Sequence, residues 1–196
     1  MSKAELIYNA VLDLLKEQNN LMSVTVADIA EKCGIGKGTV YEYFSSKEDI
    51  FIHTTMYVSN RIISDIKMIE AETFKELFDA YYELLFELKQ KSGALYLTLM
   101  LGGSVYDITQ TLTDGIFDII SSVQNEMVLY CSKMMKKGIK EGILSQNMDT
   151  GDAIFVLSGL SSMIFMNNNN ISKKVMFNTD FMTKEKSYEC FVRLLN

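Results

Sequence analysis

Proline and tryptophan are absent from this chain of 196 residues, histidine occurs once, and cysteine occurs three times. The lack of proline, set beside 13 methionines, disfavours a turn-rich β fold and favours a helical protein with adaptable packing. Cys33, Cys131 and Cys190 are far apart, odd in number and in no metal-ligand spacing, so they argue against a disulfide framework and read as reduced core thiols. His53 is the only histidine, and it occurs with no glycine-rich phosphate loop, nucleophile elbow or metal cluster. An enzyme is therefore disfavoured, carboxylate-only chemistry being the one formal opening, and neither a cofactor nor a metal is expected. His53 is expected to pack or to meet solvent. A membrane-length run is missing too: the most apolar stretch, Ala153 to Met166, is too short for a bilayer and carries Ser158, Gly159, Ser161 and Ser162. The N-terminus opens with a helix-capping signal instead of a basic and apolar leader, so a cytoplasmic location is expected.

Positive charge is also in short supply. The net charge is −6, and residues 1–50 hold five lysines against eight acids, which leaves −3. Global charge thus gives no support to binding a polyanion, an affinity that comes largely from neutralised phosphates. Locally, Lys32, Lys37 and Lys47 bracket one short segment.

What is present is helical periodicity with clear punctuation. Ser2 and Glu5 form a capping box before Leu6, Ile7, Ala10, Val11, Leu14 and Leu15, spaced by three and four. Thr25 with Asp28 starts a second, short helix with Val26, Ile29, Ala30 and Cys33 inward, and Gly34 stops it. Gly36 is a permissive N-cap for a third helix, Lys37 to Phe44, burying Val40 and Phe44. Ser46 and Asp49 cap a fourth helix to about Ile69, and Thr73 and Glu76 cap a fifth that Gly93 is expected to break near Lys91. A short apolar helix from Ala94 to Leu101, a long one from near Gly115 to Lys140, one from Asp149 or Thr150 to Met166, and a last one opened by Thr183 complete the reading. The helix ending at Met166 is apolar nearly all round, so it must be covered on more than one side, as a partner subunit would do.

Two short helices joined by Gly34-Ile35-Gly36 and preceded by a supporting helix match the helix-turn-helix pattern, whose second helix enters the DNA major groove. On that helix Val40 and Phe44 point to the core, Gly38 and Glu42 away from it, and Thr39 and Tyr41 to the flanks. Gly38 would let backbone approach a duplex closely, while Lys37 and Thr39 reach base edges or phosphates. Tyr41 and Tyr43 offer hydroxyls to sugar-phosphate oxygens. Lys47, in the first turn of the fourth helix, and Thr25, at the start of the second, are further phosphate candidates. Glu42 on the outward face either repels phosphate or accepts from a cytosine amino group, and a solvated, neutral role is expected.

The run from Thr25 to Phe51, TVADIAEKCGIGKGTVYEYFSSKEDIF, closely resembles the DNA-binding signature of the TetR family of regulators. The resemblance covers roughly residues 3–51. It implies an all-α protein with an N-terminal three-helix helix-turn-helix DNA-binding domain, residues 1–46. A C-terminal helical bundle, residues 47–196, would bind an effector and dimerise through its last two helices. The family's usual DNA contacts would fall on Thr25, Gly36, Lys37, Gly38, Thr39, Tyr41, Tyr43 and Lys47. Two departures stand out: Cys33 replaces a commoner alanine, and Gly36 stands where a serine often contacts phosphate.

The expected function is a dimeric transcription regulator, a repressor by the family's usual behaviour, that binds a palindromic operator in double-stranded DNA and is released by a small-molecule effector. The expected effector pocket draws on Met56, Tyr57, Arg61, Tyr81, Tyr82, Tyr96, Met100, Phe117, Met127 and Tyr130, apolar residues with a few polar handles. The acidic balance suggests one alternative, a non-catalytic effector- or protein-binding bundle with little DNA affinity.

Overall fold

The structure, a computed structural model, describes residues 1–18, 23–101, 113–166 and 183–196, with the side chains of 91–101, 113–115 and 165–166 left out of the description. The described residues form helices α1 (Lys3–Gln18), α2 (Val26–Cys33), α3 (Lys37–Tyr43), α4 (Lys47–Lys67), α5 (Phe74–Leu101), α6 (Thr113–Lys140), α7 (Thr150–Met166) and α8 (Lys184–Leu194). The all-α expectation holds. The run Asn167 to Asn170, whose composition reads as a polar loop, lies outside the described residues.

Helix starts follow side-chain chemistry. At α1 the Glu5 N–H donates to Ser2 Oγ (3.1 Å) while the Ser2 N–H donates to the Glu5 carboxylate (2.7 Å). Thr25 with Asp28 and Thr73 with Glu76 repeat the reciprocal pair at α2 and α5. Ser46 Oγ accepts from Asp49 N–H at α4, but the Asp49 carboxylate reaches one residue further back, to the Ser45 N–H (2.8 Å). At α7 the cap is Asp149, which accepts from the Gly151 N–H. These bonds hold Glu5, Asp28, Asp49 and Glu76 below their ordinary carboxylate pKa values, the main cause in each being a hydrogen bond from the cap: the Ser2 N–H, the Thr25 hydroxyl, the Ser45 N–H and the Glu72 N–H respectively. A carboxylate depressed by folding contributes stability that is complete above its unfolded pKa and lost as pH falls through the folded value. Thermal midpoints followed by circular dichroism should therefore be level near neutrality and fall below about pH 4. Replacing both Asp28 and Asp49 by asparagine should flatten that acid limb.

One helix runs further than its sequence suggests. Gly93 was expected to end a helix near Lys91, yet α5 continues to Leu101. An interior glycine costs about 1 kcal/mol relative to alanine. Lys89, Gln90 and Lys91 on one side and Ala94, Leu95 and Leu97 on the other are good helix formers, and their hydrogen-bond ladder carries through.

The chain divides into two compact units, Met1–Ile62 with Lys91–Val123, and Ile63–Gln90 with Gln124–Asn196. In the first, Ile7, Val11, Ile29, Val40 and Ile50 are fully buried, which brings α1, α2, α3 and the start of α4 onto one small core. Leu6 and Cys33 are only half-buried, Cys33 resting its thiol near the Leu6 carbonyl at 3.7 Å. In the second unit Phe74, Phe78 and Phe191 are fully buried, with ring centroids 5.3 to 6.2 Å apart where they meet across α5 and α8. The Phe74 N–H, left without an intrahelical partner by its place in the first turn of α5, donates to the Glu141 carboxylate at 3.0 and 3.1 Å. All three cysteines are free thiols, and burial pushes Cys131 up to about 11.

Helix α7 buries one face, Ala153, Leu157, Leu160 and Ile164, within its own chain. Its other face leaves Phe155 80% exposed and Met163 41% exposed, with Ser158 and Gly159 between them also open. No helix among the described residues is long and apolar enough to cross a membrane.

Candidate nucleic-acid interface

The surface of interest is built from the ends of α2 and α4 and the whole outer face of α3. Thr25 anchors one edge: its Oγ1 accepts from the Asp28 N–H (3.2 Å) and its hydroxyl donates to the Asp28 carboxylate (2.8 Å). That proton is committed to the cap, so Thr25 positions α2 before it offers anything to a phosphate. Helix α2 ends at Gly34, whose φ of 66° and ψ of 30° are left-handed. The Ile35 N–H reaches back to the Ala30 carbonyl at 3.0 Å, closing a tight C-terminal turn that glycine makes without strain.

Gly36 then turns the chain into α3 with extended backbone and no side-chain cap. Val40 is fully buried and Phe44 is 4% exposed. These two residues pin the helix against α1, where Phe44 meets the Tyr8 ring edge-on at 5.8 Å. Everything on the opposite side is open: Lys37, Gly38 and Glu42 are exposed, as are Tyr41 (51%) and Tyr43 (48%), while Thr39 is half-buried. Among the described residues, a Cβ built on Gly36 or Gly38 would meet no atom within 4 Å beyond its immediate chain neighbours and its own helix backbone. Packing therefore requires neither glycine, although a glycine within a helix costs up to about 1 kcal/mol against alanine.

Lys47 opens α4, its ammonium 5.5 Å from the Phe51 ring centroid one turn on. Lysine followed by an aromatic four residues later signals this contact, which the reading of the sequence had passed over. Besides its hydrogen bonds from Thr25, the Asp28 carboxyl is held low by the charges of both Lys37 and Lys47. Lys37 opens α3 and Lys47 opens α4, each in the first turn of its helix. Lys32 does not join this set, because its ammonium pairs with Glu17 on α1 at 2.6 Å. His53 sits 3.3 Å from Asp49 and beside the Phe44 ring, half exposed.

The remaining candidate residues are placed as follows. In the first unit the Arg61 guanidinium is exposed and lies 5.7 Å from the Tyr57 ring centroid, with Nη1 3.4 Å from the Tyr57 hydroxyl. Met56 is 40% and Phe117 70% exposed. In the second unit Tyr81 and Tyr130 are buried and stacked at 5.8 Å. Both hydroxyls are satisfied internally, Tyr81 with Ser161 (2.8 Å) and Tyr130 by donating to the Leu77 carbonyl (2.6 Å). Burial raises both phenols well above their ordinary range. Tyr82 and Met127 are half-buried, and the Tyr82 phenol is also raised by burial. The side chains of Tyr96 and Met100 lie outside the described residues.

Residues 15–54 match the family model described as "Bacterial regulatory proteins, tetR family". No curated protein matches the chain. Solved structures do match over nearly their whole length. A bacterial regulatory protein of the tetR family from Rhodococcus RHA1 is 14% identical with a TM-score of 0.71, covering 100% of this chain and 98% of its own. The fatty acid degradation regulator FadR from Bacillus halodurans is 21% identical with a TM-score of 0.67, covering 97% and 98%. FadR from Bacillus subtilis, solved in complex with stearoyl-CoA, is 21% identical with a TM-score of 0.63, covering 99% and 98%.

Proposed function

We propose that the chain, whose residues 15–54 match the model of the tetR family of bacterial regulatory proteins, is a non-catalytic DNA-binding regulator of transcription of that family, a homodimeric repressor released from a palindromic operator by a small-molecule effector. The observation that carries the DNA-binding half is the outer face of α3, where two glycines that packing does not need leave the backbone bare beside Lys37, Tyr41 and Tyr43. A helix so stripped can lie deep in a major groove while lysines and tyrosine hydroxyls hold the phosphates. Thr25, Gly36, Lys37, Gly38, Thr39, Tyr41, Tyr43 and Lys47 are the proposed contacts.

Two α3 helices related by a two-fold axis would enter successive major-groove faces, about 34 to 36 Å apart or a multiple of it. Effector binding would favour an arrangement in which α4 tilts and the pair leaves that spacing, a population shift whose size is the effector's differential affinity for the two states. A long-chain acyl-CoA is the first compound to try, since the Bacillus subtilis FadR structure holds stearoyl-CoA.

The acidic balance favours the competing reading, a bundle with little DNA affinity. Acids committed to caps and pairs, such as Glu5, Glu17, Asp28 and Asp49, reduce its weight. Gel shifts on duplex selected from a random pool separate the two. Binding should weaken steeply with salt, and Lys37→Ala and Lys47→Ala should each lower affinity across all sequences and reduce the slope of log K against log salt by about one. Unchanged binding in both variants would remove this surface from the proposal.

A further inference from the structure

Glu42 is the residue on α3 that faces most directly away from the protein. It lies two positions from buried Val40 and two from buried Phe44, hence about 160° from each around the helix. Gly38, one turn before it on the same line, contributes no side chain, and Tyr41 and Tyr43 fall on either side of it, both about half exposed. When the outer face of α3 meets a groove floor, the side chain that arrives first and most centrally is a carboxylate. An anion held there, between two phosphate backbones, is tolerated only where the floor supplies a donor.

The major groove presents two such donors, the N4 amine of cytosine and the N6 amine of adenine. Adenine sets its N7 acceptor beside N6, which repels the second carboxylate oxygen. Cytosine sets a C–H edge beside N4, so one oxygen can accept while the other meets no lone pair. We propose that Glu42 is a specificity-determining residue that accepts a hydrogen bond from the N4 amine of a cytosine at one position in each half-site, and whose charge disfavours duplexes lacking it. The inference rests on the DNA-binding reading above and sharpens it, because it replaces the expected neutral role with a base preference and a cost for every other base.

The test is selection of duplexes from a random pool by the full-length wild type, Glu42→Ala and Glu42→Gln. Glu42 is exposed, so the variants should keep the wild-type circular dichroism spectrum and melting curve. The wild type should enrich cytosine at one position per half-site. Glu42→Ala should lose that preference, by tenfold or more in relative affinity for the C·G pair, with other positions unchanged. Glu42→Gln should shift the same position towards adenine, which glutamine reads through N6 and N7. An enriched palindrome whose base profile is the same in all three proteins overturns the inference alone. So does an alanine variant that binds every duplex more tightly by one common factor, which is plain repulsion. A wild type that enriches no sequence overturns both this and the DNA-binding reading.

Discussion

Replacing Gly38 by alanine should make the protein more stable and a poorer DNA binder. Alanine is the better helix former, by up to about 1 kcal/mol, and among the described residues its Cβ would meet nothing within 4 Å beyond its immediate chain neighbours and its own helix backbone. The thermal midpoint should hold or rise by a few degrees. On a duplex the same methyl occupies the gap through which backbone approaches the groove, and affinity for the selected operator should fall about tenfold. Gly38→Leu should take it down roughly a thousandfold, to the lower edge of the gap between specific and non-specific binding, again with no loss of fold. Opposite signs for stability and binding are the signature of a residue kept for a partner. A Gly38→Ala protein that melts earlier, or binds as before, would show that the glycine serves the fold or nothing.

The second large effect concerns assembly. Phe155, Ser158, Gly159 and Met163 form an open face on α7. Among the described residues, a Cβ on Gly159 would meet no atom within 4 Å beyond its own stretch of helix. The proposed dimer covers this face through α7 and α8. Phe155→Glu combined with Gly159→Arg should therefore leave helix content intact while sedimentation shifts from dimer to monomer. Operator affinity should fall by about a hundredfold or more, because two half-sites held by one dimer gain an effective concentration that separate monomers lack. A variant that stays dimeric would place the interface elsewhere. One that becomes monomeric yet binds operator as before would remove the need for a paired site.

The positions of the helices were legible because their ends are written in local chemistry. Ser2 with Glu5, Thr25 with Asp28, Thr73 with Glu76, and Gly34 in its left-handed turn each act within a few residues, and a sequence displays such pairs directly. Gly93 misled for the same reason, since one poor helix former was weighed without the strong formers flanking it. The outer face of α3 was equally legible, because Val40 and Phe44 fix its orientation and everything opposite follows from 3.6 residues per turn.

The effector residues were not legible in this way. Tyr81 and Tyr130 carry the polar tips expected of ligand handles, but where those tips point depends on Ser161 and on the Leu77 carbonyl, 80 and 53 residues away in sequence. Arg61 was counted among the pocket residues, and its guanidinium lies exposed along the Tyr57 ring. Periodicity tells which side of a helix is apolar; it does not tell which neighbour covers it. Lysine charge was misleading in one place and sound in another. Lys32 belongs to a pair with Glu17, whereas Lys37 and Lys47 act together on Asp28.

Contact between α3 and the duplex can be read at the backbone itself. The chain has 11 glycines, few enough for selective ¹⁵N-glycine labelling to give an assignable amide spectrum. On titration with the selected operator duplex, the Gly36 and Gly38 amides should shift most, while Gly138 in the last turn of α6 and Gly142 just after it, both in the second unit, hold their positions. Saturated binding with Gly36 and Gly38 unmoved would contradict the groove-facing glycine helix on which the whole account stands.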